Sequence, residues 1–328
     1  MSTAWRQLRM SGKEVSLDWI LPSGQSFRWK REGEEWVSVI QDAVIILRND
    51  PSTDNITYCT LDPRSPETTI KHESKPAQIP PSPPKSPPPA YEIDSAVHDY
   101  FNSSIKLASL YREFGARDKY FKQIADRFVG IRMLRQDPWE CLCSFICSSN
   151  NSIKRITQMI DNLCATYGTY IATYKDIDYY TFPRPSTLAS SPNCAAKLRE
   201  LGFGYRADYV YKTAKAVADW EAQGNQLSDM RGKPYDDVRE FLLQFTGVGP
   251  KVADCVALMS FDCHESVPID THVFNIVKRR YSPKTKMVSK TMSKVVYDEL
   301  SLYLRDLWGP YAGWAQAVIF ISELNRDK

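Results

Sequence analysis

The sequence predicts an α+β protein in which a small N-terminal antiparallel β-sheet packs on a larger, all-helical region. Short β-branched and aromatic runs, separated by turn signals, fill much of the first fifty residues. From Ala96 onward apolar residues recur at helical spacing. Near residue 247 a Gly-x-Gly-Pro step separates two helical runs as a tight hairpin, because glycine tolerates positive φ and proline fits the first turn of a new helix.

The strands are expected at Phe27–Lys30, Trp36–Ile40 and Val44–Leu47, with the Gln-Asp-Ala run at 41–43 as a turn. The run KPAQIPPSPPKSPPP at 75–89 has too many prolines for a helix or central strand and too little apolar surface to order itself. It is expected to be a disordered insertion, spanning about 62–92, in an N-terminal β domain of residues 1–95. A proline-rich docking peptide is the alternative reading. Residues 96–328 form the helical region. Leu107, Leu110, Tyr111 and Phe114 define one apolar stripe, and Ile156, Met159, Ile160 and Leu163 another. The last helix carries Gln316 and Phe320 four apart, hence on one face.

A chain of 328 residues with 43% hydrophobic content can bury a substantial core. The net charge of +3 is mild, so any anion-binding face must come from local placement. Lys278, Arg279, Arg280, Lys284 and Lys286 form the densest basic run, which fits a solvated helix end as well as phosphate contact. Eight irregularly spaced cysteines without a secretory h-region imply thiols in a reducing compartment. Cys141, Cys143 and Cys147 fall in the apolar run WECLCSFICSS, where packing is expected rather than metal binding. His72, His98 and His264 show no paired arrangement that would suggest a metal or a histidine base.

The chemistry concentrates between Leu242 and His272, a helix-hairpin-helix segment expected over about 236–272. Gly247 and Gly249 make the turn, and the helix start behind them presents free N–H groups and a positive dipole end to an anion such as a DNA phosphate. Lys251 follows immediately. Partial burial and the helix end both disfavour its ammonium form and favour a nucleophilic amine. Asp270 precedes a helix, so it fits an N-cap; it also fits a carboxylate that stabilises positive charge at an anomeric carbon as a base departs. GVGPK alone suits a non-catalytic DNA-binding hairpin as well as an enzyme. The addition of Asp270 favours N-glycosidic chemistry.

The same segment, together with SGQSFRW at 23–29, CSSNN at 147–151, GFGYRA at 202–207 and GPYAGWAQAVIF at 309–320, resembles the eukaryotic 8-oxoguanine DNA glycosylase/lyases of the helix-hairpin-helix base-excision superfamily. The resemblance covers most of the chain outside about 55–95. It implies excision of 8-oxoguanine, and of formamidopyrimidine-type oxidised guanine, opposite cytosine in double-stranded DNA. Lys251 would form a Schiff base, with Asp270 as the second catalytic residue and β-elimination nicking the strand. Gly24 would offer its carbonyl to the N7 hydrogen of the oxidised base, while Cys255, Gln316 and Phe320 would line the base pocket. Asn150 would fill the vacated stack, Tyr205 would wedge beside it, and Arg155 and Arg206 would reach the estranged cytosine. Asn151, Gly247, Gly249 and His272 complete the implied DNA contacts. Ser152 stands where a third asparagine is common, which leaves local contacts there open. The C-terminal region lacks the four-cysteine array of the iron–sulfur members, so no cluster is expected, and the lysine chemistry calls for no metal or cofactor. A monomer without a membrane partner is expected in the nucleus, with a mitochondrial location possible because MSTAWRQLRMSGK weakly resembles a presequence. Two other readings stay open: a glycosylase for another damaged base, and a non-catalytic helix-hairpin-helix DNA-binding module.

Overall fold

The computed structural model describes residues 5–61, 90–281 and 292–325. The proline-rich run at 75–89, Lys284 and Lys286 lie outside the described residues. Five strands, β1 (Arg6–Ser11), β2 (Lys30–Glu32), β3 (Glu35–Ile40), β4 (Ala43–Asn49) and β5 (Asn55–Thr60), form an antiparallel sheet in the order β1-β5-β4-β3-β2. A short helix α1 (Leu17–Ile20) lies between β1 and β2. The β3–β4 hairpin closes in two residues, Gln41 and Asp42, both at positive φ (46° and 61°). That geometry follows the twist of the flanking strands.

Helices follow as α2 (Ala90–Tyr100), α3 (Leu107–Arg117), α4 (Lys119–Ile124), α5 (Pro138–Ile146) and α6 (Ile153–Tyr167). The helical part thus starts at Ala90, within the stretch expected to belong to the insertion. A second hairpin, β6 (Tyr170–Tyr174) and β7 (Ile177–Tyr180), interrupts the helices, a departure from the expected all-helical region. Then come α7 (Pro185–Ser190), α8 (Cys194–Glu200), α9 (Arg206–Glu221), α10 (Tyr235–Leu243), α11 (Pro250–Ser260), α12 (Thr271–Arg280), α13 (Lys294–Trp308) and α14 (Ala312–Leu324). Their starts are set by local chemistry. Asp137 accepts from Glu140 N ahead of Pro138, Ser152 caps α6, and Ser293 caps α13.

Why β3 and β4 read as near-continuous apolar runs is clear from what covers them. Val37, Val39, Val44 and Ile46 pack with Ala172 and Tyr179 of the second hairpin, while Trp36, Ile45 and Leu47 face the main core with the helices. A sheet buried on both faces loses the polar alternation of a half-exposed one. Each fully buried large apolar side chain contributes about 1.5–3 kcal/mol.

Phe27–Trp29 is not a strand; β2 begins only at Lys30. Its side chains are engaged elsewhere. Phe27 meets the Phe145 ring edge-on at 5.7 Å, and Trp29 Nε1 donates to the Tyr100 hydroxyl at 2.9 Å. Arg28 pairs with Glu140 at 2.9 Å and also donates to the Tyr180 carbonyl. Beside them the Gln25 amide donates to Arg132 O (3.1 Å) and accepts from Leu134 N (3.0 Å), and Gln136 Nε2 donates to Gln25 O (2.8 Å). Buried amides satisfied on both sides fix the backbone firmly. The 23–29 segment is therefore a rigid strap from the sheet to α5.

All eight cysteines are buried and free. Burial pushes the Cys141 and Cys143 thiols well above their usual range, as expected of packed, unreactive cysteines. Among the described residues no helix is long and apolar enough to cross a membrane.

Candidate active site

The hairpin between α10 and α11 spans six residues, and its two glycines differ in what they do. Gly247 sits at φ +85°, and a Cβ there would lie 2.6 Å from Tyr209 Cδ2 and 2.8 Å from Tyr209 Cβ. Gly249, expected to share the positive-φ role, instead has φ −95° and ψ 179°, extended backbone open to other residues, with nothing within 4 Å of an added Cβ. Its contribution is an uncovered surface at the start of α11, where the N–H groups point outward. Thr213 Oγ1 donates to Thr246 O at 3.1 Å and anchors the turn on α9. Gly247→Ala is expected to cost about 1–3 kcal/mol through strain and the clash with Tyr209. Thermal melting and duplex titration would show it as a lower Tm with weaker DNA binding; an unchanged Tm would refute the fit.

Lys251 lies in the first turn of α11 and is half-buried. Its Nζ donates to Ser148 Oγ at 3.3 Å and sits 5.2 Å from the Phe145 ring centroid. Phe145 in turn holds Phe27, so the Gly24 strap reaches the lysine through one aromatic pair. Cys255 is buried one turn further along α11. Burial pushes its thiol up to about 11 against the opposing pull of Lys251, and Asp270 is among the charges that raise it further. At neutral pH Cys255 is therefore an uncharged wall, and it feels the lysine and the aspartate together.

Asp270 caps α12: its Oδ1 accepts from Val273 N at 2.8 Å. The side chain is thus locked at a helix start, where the dipole favours its charge. Two residues on, the His272 ring meets Phe320 edge-on at 6.2 Å. Phe320 is half-buried and Gln316, one turn earlier on α14, is buried. A cavity of about 470 Å³ opens here, lined by His272, Asn275, Lys278, Arg279, Phe320 and Glu323 among others. Helix α14 comes very close to the segment leading to Asp270: a Cβ on Gly313 would lie 2.3 Å from Ser266 O and 2.4 Å from Leu258 Cδ1. The basic run beside the cavity is partly spoken for, since Arg279 and Arg280 pair with Glu323 at 2.8 and 3.4 Å.

Across the molecule's same region, the CSSNN run ends α5. Asn150 takes a left-handed turn at φ 48°. Asn151 Nδ2 donates to Cys147 O at 3.0 Å, so this second asparagine is engaged in closing the helix. Arg206, expected to reach outward, is 3% exposed; its Nη2 donates to the carbonyls of Ser149 and of Asn150 (3.1 Å). In the DNA-free chain this arginine shapes the turn that presents Asn150. Tyr205 is 51% exposed, its ring 4.4 Å from the Arg206 guanidinium carbon and 5.6 Å from the Tyr209 ring, and its hydroxyl donates to Ser149 O at 3.2 Å. Tyr205 and the Gly247 hairpin thus share Tyr209. Arg155 is exposed in the first turn of α6, capped by Ser152. Gly24, at φ +84°, lies against Ile153 of the same helix, with 3.0 Å between an added Cβ and Ile153 Cδ1.

The sequence did not single out Ser148, Phe145, Asp254 or Tyr297. Ser148 stands inside the CSSNN run, but only the fold turns its hydroxyl to Lys251. Asp254 is a charged residue inside an apolar helical stretch, a signal that could have been read as a buried, partnered carboxylate.

Residues 7–142 match the family model of the 8-oxoguanine DNA glycosylase N-terminal domain, and residues 143–297 match that of HhH-GPD superfamily base excision DNA repair proteins. The N-glycosylase/DNA lyase of Saccharomyces cerevisiae is 34% identical over 355 residues, covering 99% of this chain and 88% of that protein. The N-glycosylase/DNA lyase OGG1 of Arabidopsis thaliana is 33% identical over 329 residues, covering 99% and 81%. Among solved structures, the apo-form of Clostridium acetobutylicum 8-oxoguanine glycosylase/lyase superposes with a TM-score of 0.76 at 25% identity, covering 98% of this chain and 99% of that one.

Proposed function

This chain belongs to the 8-oxoguanine DNA N-glycosylase/lyase family within the HhH-GPD superfamily, and from that membership we infer the activity of the Lys251–Asp270 site. The protein is a bifunctional glycosylase/lyase that removes 8-oxoguanine from DNA in base-excision repair. The observation that carries the assignment of residues is Lys251 in the first turn behind the hairpin, its Nζ held by Ser148 Oγ, with Asp270 fixed as the cap of α12.

The Lys251 amine forms a bond to C1′ as the C1′–N9 bond breaks, and the base leaves with the bonding electron pair and takes up a proton. The Asp270 carboxylate, held by Val273 N, stabilises the positive charge that develops on the sugar. Ring opening gives an imine between Lys251 and C1′, and loss of a C2′ proton with cleavage of the C3′–O bond then nicks the strand. Ser148 Oγ and the Phe145 face hold the lysine side chain in line.

Lesion reading is assigned to the strap and to α14. Gly24 O accepts the N7 hydrogen that only the oxidised base has, Gln316 bonds the base edge, Phe320 stacks on it and Cys255 lines the opposite side. A normal guanine would set its N7 lone pair against the Gly24 carbonyl, an unpaired buried acceptor that costs about 1–3 kcal/mol. Asn150 and Tyr205 fill the vacated stack, Arg155 and Arg206 address the cytosine, and Gly247, Gly249, Asn151 and His272 serve the backbone. Cytosine preference, formamidopyrimidine lesions, a monomeric state and a nuclear location belong to the same proposal.

Borohydride trapping on a duplex with 8-oxoguanine opposite cytosine tests it. A covalent adduct that is absent on undamaged duplex is expected, and adenine opposite the lesion should lower the yield. Neither adduct nor base release on the damaged duplex would overturn the assignment.

A further inference from the structure

Lys251 and Asp270 sit on different helices nineteen positions apart in sequence, and something must hold their spacing constant. Asp254, one turn after Lys251 on α11, is completely buried. Its carboxylate accepts from the Tyr235 hydroxyl of α10 at 2.7 Å and from the Tyr297 hydroxyl of α13, with Arg239 Nε 3.3 Å away. The Tyr297 hydroxyl also accepts from Ile269 N at 3.3 Å, the residue immediately before Asp270. Ser266 Oγ donates to the Asp254 carbonyl at 3.0 Å. The segment entering α12 is therefore fastened to the lysine helix twice, both times at Asp254.

We propose that the Tyr297 hydroxyl, held by Asp254, is a positioning residue that sets the Asp270 carboxylate relative to Lys251. The proposal rests on the glycosylase reading of that pair. A hydrogen bond to a buried carboxylate orients the phenol firmly and leaves its oxygen lone pair aimed at Ile269 N, whose other route to satisfaction would be solvent that does not reach it. Ile269 is itself fully buried, so the tie acts directly on the backbone that presents Asp270. Small displacements of reacting groups cost large factors in rate.

Tyr235 provides a matched control. It donates to the same carboxylate and is similarly buried, yet it does not touch the 266–270 segment in any described contact. Tyr297→Phe and Tyr235→Phe would each be measured by thermal melting and by single-turnover base excision over a range of enzyme concentrations, beside wild type and Lys251→Gln. Tyr297→Phe is expected to lower the maximal excision rate by about 10-fold or more with half-saturation unchanged, while Tyr235→Phe lowers the Tm comparably and keeps the rate within about 3-fold. Equal rate losses in both variants, or an unchanged rate in Tyr297→Phe, would overturn the proposal. If Tyr297→Phe does not fold, Asp254→Asn carries the test, since it weakens the hold on the phenol at constant shape; a rate within about 2-fold of wild type would overturn it as well. Failure of wild type to excise 8-oxoguanine would instead remove the reading on which the proposal stands.

Discussion

Lys251→Gln is expected to abolish the borohydride-trapped adduct and to lower 8-oxoguanine release by about 10³-fold or more, with little change in affinity for the damaged duplex. The side chain is the sole amine on the first turn of α11, and among the described residues it contacts Ser148 and the Phe145 face and has no carboxylate within ion-pair distance. Removing it takes away the proposed nucleophile without disturbing a salt bridge the fold depends on. Glutamine keeps the methylene stem against the aromatic ring and a donor at its end, so the Tm should hold. Quantitative binding, trapping and single-turnover excision on the same duplex would decide it. A variant that still yields the adduct would place the nucleophile elsewhere; one that releases base without adduct would show that water, not lysine, attacks.

The second large effect separates two roles of one carboxylate. Asp270 is the cap of α12, and in the proposed mechanism it is also the anion of the site. Asparagine caps as well as aspartate does, so Asp270→Asn is expected to leave stability within about 0.5 kcal/mol while excision falls about 10²- to 10³-fold. Asp270→Ala should lose both, with about 1 kcal/mol of stability gone in addition to the activity. Melting curves beside excision rates distinguish them. Wild-type rates in Asp270→Asn would reduce this residue to a cap.

The hairpin, and the placement of Lys251 and Asp270 at two helix starts, were legible because their signals are local. A Gly-x-Gly-Pro-Lys step specifies a turn and a helix start within five residues, and Asp270 before an apolar helical stripe specifies an N-cap. The same holds for β3, β4 and the tight turn between them, and for Gln316 and Phe320 on one face of α14. Strands β1 and β5 were not legible. They pair with each other across some fifty positions, Arg6 opposite Tyr58 and Gln7 opposite Thr57, and neither carries a long apolar run. The strap at 27–29 was misread as strand for the converse reason: its residues suit a strand, but Phe27, Arg28 and Trp29 dock on helices far along the chain.

By itself, then, the sequence determined the class of fold, the hairpin, and the helix-start positions of Lys251 and Asp270, since each rests on conformational preferences of a few adjacent residues. Tertiary structure alone decided which groups surround them: Ser148 at the lysine, Arg206 turned inward beneath Asn150, and the tie from Asp254 through Tyr297 to Ile269. Contacts of that kind join residues between 28 and 103 positions apart. Periodicity shows which face of an element is apolar, but the partner it meets is fixed only when the whole core closes, because burial and hydrogen-bond satisfaction are properties of the packed chain rather than of any segment.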